Sequence, residues 1–294
     1  LEALSSFLQY LQFEKRYSIL TVQAYSRDLE QFFVFVSTTF GHIEPNQIKH
    51  LHIRSWLAQL KEIDNSSKSI NRKISSLKSF FKFLLRQNII KELPTTKIVS
   101  PKVAKRLPTF LQENQMSTLL DRVSFAQTFE GKTERIIIEL LYSTGMRRIE
   151  LCHLKESQIE FGTKLIRIIG KGNKERLMPM VPNLANLLQD YLIEKSKIEN
   201  VNNEYLLVLK NGKPLYEKFI YNVAKKYLGM VSTQDKKNPH VLRHTFATHI
   251  LNNGAQLNAV KELLGHANLA ATQIYTHNSI EKLKKVFEKA HPKA

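Results

Sequence analysis

A break in the apolar rhythm limits most strongly what this chain can fold into. Up to residue 91 the apolar residues recur at spacings of three and four, the period of an amphipathic helix and not of a strand. Leu1, Leu4, Leu8 and Leu11 form one stripe, and Val22, Tyr25, Leu29, Phe32, Phe33 and Val36 a second. Ile53, Trp56, Leu57 and Leu60 form a third, begun after Pro45, where a helix start is tolerated. Ile70, Ile74, Leu77, Phe81 and Leu84 form the fourth. The rhythm then stops in ELPTTKIVSPKVAKRLP, residues 92–108, which holds three prolines and carries net positive charge. The break predicts a helical domain over 1–92, an extended basic linker over 93–108 and a second domain over 109–294. A length of 294 residues gives each part enough chain to bury its own core.

Beyond the break the pattern is mixed. TERIIIELLYSTGMRRIELCHL reads as two helices interrupted at Gly145. KLIRIIGKGNKERLMPM alternates and turns as a hairpin does, with Gly170, Lys171, Gly172 and Asn173 at its tip. HVLRHTFATHILNNG and LNAVKELLGH are helical again, each closed by a glycine, Gly254 and Gly265, where a left-handed cap is wanted. The expected fold is mainly α, with a small antiparallel β-sheet in the second domain.

Charge supplies the first functional constraint. Lys and Arg number 44 against 26 acidic residues, a net +18, which points to a polyanionic partner and to nucleic acid before anionic lipid. On the fourth helix the residues off the apolar stripe include Lys68, Arg72, Lys73, Lys78, Lys82 and Arg86, a cationic side suited to phosphates or, more blandly, to water. Two basic domains on a basic linker suggest a clamp around DNA. A hydrophobic share of 43% excludes a disordered chain. No apolar run approaches a membrane span and no leader pattern is visible, so the cytoplasm is the expected compartment and no membrane partner is expected. Cys152 is the single cysteine, which excludes an internal disulfide and suggests a buried structural thiol.

Four short motifs carry possible chemistry. In TGMRRIEL, Arg147 follows a glycine break at the head of a helix, where a guanidinium fork suits a phosphate. Arg148 points about 100° away on a helix, so only one of the two faces a common site. Glu150 shares a face with Arg147 and is placed to hold it. IGKGNKER lacks Walker A spacing and precedes a strand, so it is no nucleotide site. Lys171 between glycines can approach a DNA backbone closely, with Lys174 and Arg176 as competing cations. HVLRH sets His240 and Arg243 one turn apart. His240 and His244 invite a metal reading, but the position after the first histidine is Val241 where a zinc motif needs glutamate, so neither a metal nor another cofactor is expected. In GHANLAATQIYTH, His266 follows the glycine cap and Tyr275 comes nine residues later. A lone tyrosine is more often a half-buried core aromatic. Beside cations that help remove its proton, the phenol becomes an attacking group for a phosphodiester.

In this order the motifs resemble the tyrosine recombinases, and within them the Xer-type site-specific recombinases. The resemblance runs from the four-helix amino-terminal part through TGMRRIEL, IGKGNKER, HVLRHTFATHIL and LLGHANLAATQIYTH. One departure is Ile149, where relatives often carry a small polar residue. The resemblance implies a catalytic set of Arg147, Lys171, His240, Arg243, His266 and Tyr275. Tyr275 would attack the scissile phosphate to form a 3′-phosphotyrosyl link while Lys171 protonates the departing 5′-oxygen. Arg147, Arg243 and His266 would neutralise the phosphate, and His240 would assist proton transfer at the tyrosine. It further implies a double-stranded DNA recombination site as partner and four protomers on two such sites, alone or with a paralogue, exchanging C-terminal segments, in chromosome-dimer resolution or in integration and excision of mobile DNA. Ile280, Leu283, Val286 and Phe287 form an apolar stripe near the end that can pack at home or on a neighbour. Two other readings of the chain are a topoisomerase of the same phosphotyrosine chemistry and a non-catalytic architectural DNA binder.

Overall fold

In the computed structural model, which describes residues 2–103, 109–170, 172–265 and 277–293 without the side chains of 277–283, serine caps open the two longest helices. Ser18 Oγ accepts from Thr21 N at 3.3 Å to start α2 (Ile19–Phe40), and Ser66 Oγ accepts from Ser69 N at 3.2 Å to start α4 (Ser67–Arg86). With α1 (Glu2–Gln9) and α3 (His50–Glu62) they form the first of two units, Leu1–Arg106 and Leu107–Ala294. The third helix starts later than Pro45, which instead begins a single tight turn, Pro45–Gln47. Lys49 N donates to His52 Nδ1 at 3.1 Å, and this cap fixes the start of α3.

The first core takes most of the predicted stripe residues, while Leu8, Val22, Tyr25, Phe33 and Leu57 are partly buried against it and Leu1 lies outside the described residues. Leu29, Phe32 and Val36 of α2, Ile53, Trp56 and Leu60 of α3 and Ile70, Ile74, Leu77, Phe81 and Leu84 of α4 are all buried together. Phe7 occupies the centre of the α1 face, with Phe80 edge-on at 5.3 Å and Phe83 at 5.4 Å. Residues expected to be extended linker also join this unit. Ile98 is buried in its core, and Asn71 Nδ2 donates to Pro101 O at 2.9 Å. An apolar side chain within reach of an open groove folds back because burial outweighs the ordering cost.

In the second unit α5 (Glu113–Ser117) leads to α6 (Phe129–Thr144), whose residues from Ile136 to Thr144 are all buried. A stretch of helix buried on every side must be surrounded, and α8 (Pro182–Lys195), α9 (Glu217–Val231) and α10 (Pro239–Asn252) pack round it. After α6 come α7 (Arg148–Cys152) and a three-stranded antiparallel sheet of β1 (Ile159–Glu160), β2 (Leu165–Ile169) and β3 (Glu175–Pro179) in the order β1-β2-β3. Ile166 pairs with Met178 and Ile168 with Arg176, and all four are buried. The unit ends with α11 (Leu257–Leu264) and α12 (His277–Ala290). Cys152 is buried and its Sγ donates to Leu215 O at 3.0 Å. Among the described residues no helix is long and apolar enough to cross a membrane.

Candidate active site

Gly145 organises the site. It ends α6 in the left-handed region at φ +57°, and a Cβ there would stand 2.5 Å from Phe246 Cδ1 and 2.9 Å from Leu264 Cδ2. Backbone angle and close approach both demand glycine. The turn leaves Arg147 extended at the head of α7, where Glu150 receives it twice: Arg147 N donates to Oε2 at 2.8 Å and Arg147 Nη1 to Oε1 at 2.7 Å. The Glu150 side chain is 2% exposed while that of Arg147 remains 35% exposed, so the carboxylate is the buried anchor and the guanidinium faces outward. Arg148 diverges as the helical angle requires and pairs with Glu217 at 2.7 Å. Ile149 is exposed on the outside of α7, and only its main-chain oxygen is engaged, accepting from His153 Nδ1 at 2.9 Å.

The second arginine meets the first across this turn. Arg243, on α10, is buried and donates Nη1 to Gly145 O at 2.5 Å and Nη2 to Leu264 O at 2.7 Å. It therefore ties the end of α6 to the end of α11. Burial, then the charges of Arg147 and Arg176, push its pKa down to about 10, with Glu150 opposing. It stays cationic at neutral pH. His240 lies one turn before it at the surface, with its main-chain N–H capped by Asn238 Oδ1 at 3.0 Å. Partial desolvation, then the charge of Arg243, hold the imidazole below the usual histidine value, so it is neutral and able to accept a proton at pH 7.

The structure thus brings Arg147, His240 and Arg243 together. Lys171, His266 and Tyr275 lie outside the described residues. The described neighbours of two of them do reach the same place. Gly170 N donates to Lys174 O at 2.8 Å to close the hairpin turn, and a Cβ on Gly170 would lie 3.2 Å from Glu150 Oε1. Gly265, the left-handed cap of α11, backs onto the Arg176 side chain, with 3.1 Å from a Cβ to Arg176 Cδ.

Two expected DNA-binding side chains are placed elsewhere. Arg176 is 3% exposed, and its Nη1 and Nη2 donate to Glu150 Oε1 and Oε2 at 3.1 and 2.8 Å. It cannot reach a DNA groove from there. Burial raises the Glu150 pKa, but hydrogen bonds and charge from Arg176, then Arg147, outweigh it and hold the carboxyl below the usual range. Lys73 is 5% exposed and donates to Asp28 Oδ1 at 3.3 Å and to Gln31 Oε1, inside the first unit. Its position, three after Ile70 and four before Leu77, sets it on the apolar face. Arg72 pairs with the same Asp28 but stays half exposed. Lys78, Lys82 and Lys174 are exposed, as a phosphate contact requires.

Comparison with known proteins identifies the family. Residues 109–282 match the phage integrase family, and residues 4–88 match the phage integrase N-terminal SAM-like domain. The chain is 40% identical over 291 residues to the tyrosine recombinase XerC of Listeria innocua, covering 98% of this chain and 97% of that protein. It is 38% identical over 293 residues to the tyrosine recombinase XerC of Bacillus pumilus, with 98% and 95% covered. The fold is also that of the XerH site-specific recombinase bound to palindromic difH substrate in a post-cleavage complex, with a TM-score of 0.73 and 23% identity over 96% of this chain and 83% of that one. The chain belongs to the phage integrase family, among the site-specific tyrosine recombinases of Xer type.

Proposed function

We propose that the protein exchanges DNA strands at a specific site through a 3′-phosphotyrosyl intermediate, with Tyr275 as the nucleophile and Arg147, Lys171, His240, Arg243 and His266 serving the phosphate and its protons. The observation that carries this reading is that Glu150 holds Arg147 just after the Gly145 turn while Arg243 donates to Gly145 O itself, near enough for the charge of Arg147 to act on Arg243. Two guanidiniums held beside one turn suit a phosphoryl transition state, whose extra charge falls on the non-bridging oxygens. Neutral His240 beside them suits general base work at the phenol. Lys171 follows Gly170 and His266 follows Gly265, so each is bonded to a residue that lines this cluster.

Double-stranded DNA is the substrate, with Lys78, Lys82 and Lys174 on its phosphates. Four protomers on two sites, alone or with a paralogue, complete the assembly, in chromosome-dimer resolution or in movement of mobile DNA. The test uses a duplex nicked beside the cleavage position, incubated with the protein in a chelator. A denaturation-resistant adduct should form, and Tyr275→Phe should abolish it while leaving DNA binding intact. An adduct that survives this substitution removes Tyr275 from its role. Sequence-independent relaxation of supercoils by a monomer would point instead to a topoisomerase, and binding with no adduct on any target to an architectural protein.

A further inference from the structure

The Arg176 side chain is built into the site in a way that neither DNA binding nor stability explains. Its side chain is 4% exposed and forks both oxygens of a carboxylate that Arg147 has already engaged through its main-chain N–H and Nη1. One buried carboxylate needs one cation. A second buried guanidinium is costly to desolvate, and an apolar side chain would suit this strand position, which alternates with Met178 and Met180 toward the core. What the second arginine adds is connection. It sits on β3, the strand leaving the Gly170–Lys174 turn, opposite Ile168 of β2. Through Glu150 it reaches the head of α7, and its Cδ lies against Gly265 at the end of α11. A Cβ on Gly170 or Gly265 would crowd this carboxylate–guanidinium pair, at 3.2 Å and 3.1 Å respectively, so both glycines make room for it.

We propose that Arg176 is a positioning residue that grips Glu150 so that the Arg147 guanidinium and the β2–β3 hairpin are held in one fixed register. The inference rests on the strand-exchange reading. With the fork in place Arg147 cannot rotate away from the phosphate, because both oxygens of its partner are immobilised from behind. Without it Glu150 is held only by Arg147, which is itself partly solvated, and the pair drifts as a unit. A lysine in place of Arg176 keeps the charge but not the two-point grip.

Single-turnover cleavage of the nicked duplex at saturating DNA tests this with Arg176→Lys, Arg147→Lys and the double variant. Arg176→Lys should slow cleavage by about 100-fold, the cost of a misplaced reacting group, with DNA affinity unchanged. If Arg176 works through Arg147, the double variant should be no slower than Arg147→Lys alone, because the two losses are one loss. Losses that multiply would show independent structural damage and overturn the proposal. Weaker DNA binding with normal cleavage at saturation would return Arg176 to the phosphate contacts and overturn it too. Should Arg176→Lys fail to fold by circular dichroism, Glu150→Gln enters the same cycle with the same criterion. No adduct from the wild-type protein on any cognate duplex would retire the strand-exchange reading itself, and this inference with it. Normal wild-type cleavage matched by Arg176→Lys would retire the inference alone.

Discussion

At the scale of single residues, what distinguishes this cluster is that its two described arginines are already fixed by the protein's own groups. Arg243 donates both terminal nitrogens to main-chain oxygens, and Glu150 holds Arg147 from behind, so little reorganisation remains when charge develops. The same crowding of cations acts on His240, whose pKa is lowered from the usual 6.5, first by desolvation and then by Arg243. A base must be neutral, and a lowered pKa keeps it neutral to more acidic pH. The acid limb of adduct formation should therefore be centred below the usual histidine value of 6.5. His240→Gln should lose that acid limb together with most of the rate. A wild-type limb centred at or above 6.5 would mean that some other group supplies the base. The Arg147–Glu150 pair was legible in the sequence from its three-residue spacing, and the divergence of Arg148 from the helical angle. The inward turn of Arg176 was also legible, since alternation along KERLMPM sets it in phase with Met178 and Met180, but a hairpin cation reads first as a surface group. Its partner, 26 positions back, is a tertiary fact that no local pattern carries.

Helices and strands show the same division between local and tertiary information. The α4 stripe was readable because one period governs both the apolar face and its complement, and Ile70, Ile74, Leu77, Phe81 and Leu84 are all in the core. Lys73 shares that apolar side yet reads as cationic surface by residue type, and its buried partner Asp28 lies on another helix. The segment 93–101 could not be read correctly from its prolines alone, because Ile98 finds its place only once α3 and α4 have formed a groove. These placements separate the basic residues of α4 by their effect on DNA binding. Each lysine that contacts a phosphate contributes about 0.9 to the slope of log affinity against log salt. Lys82→Ala should flatten the measured slope by about that amount, and Lys78→Ala likewise. Lys73→Met should leave the slope unchanged and alter only the stability of the first unit, where Arg72 and Ser76 continue to satisfy Asp28. A flattened slope for Lys73→Met in a folded protein would show that Lys73 leaves its pocket for the duplex.

On the scale of the whole molecule, the two cores follow from the break in rhythm, but the seat of the C-terminal helix does not. Its apolar stripe fits a home or a neighbouring socket equally well in sequence terms, since a stripe specifies a surface and not its owner. In this chain Phe287 and Ala290 lie in the core of their own unit, Asn253 Nδ2 donates to Ala290 O at 3.0 Å, and His291 stacks on Phe287 at 4.8 Å. Lys293 reaches Asp121 at 2.7 Å and closes the end of the chain against the start of the unit. If the proposed assembly exchanges this segment, it must first leave its own socket, and home packing then competes with assembly. Truncating a fully buried phenylalanine costs about 3–5 kcal/mol through lost transfer energy and the cavity left behind. Phe287→Ala should therefore destabilise the free protein by about that much in urea unfolding, and the loss should be the same at every protein concentration. A loss that grows as the protein is concentrated would instead mean that the helix is seated in a neighbour even without DNA.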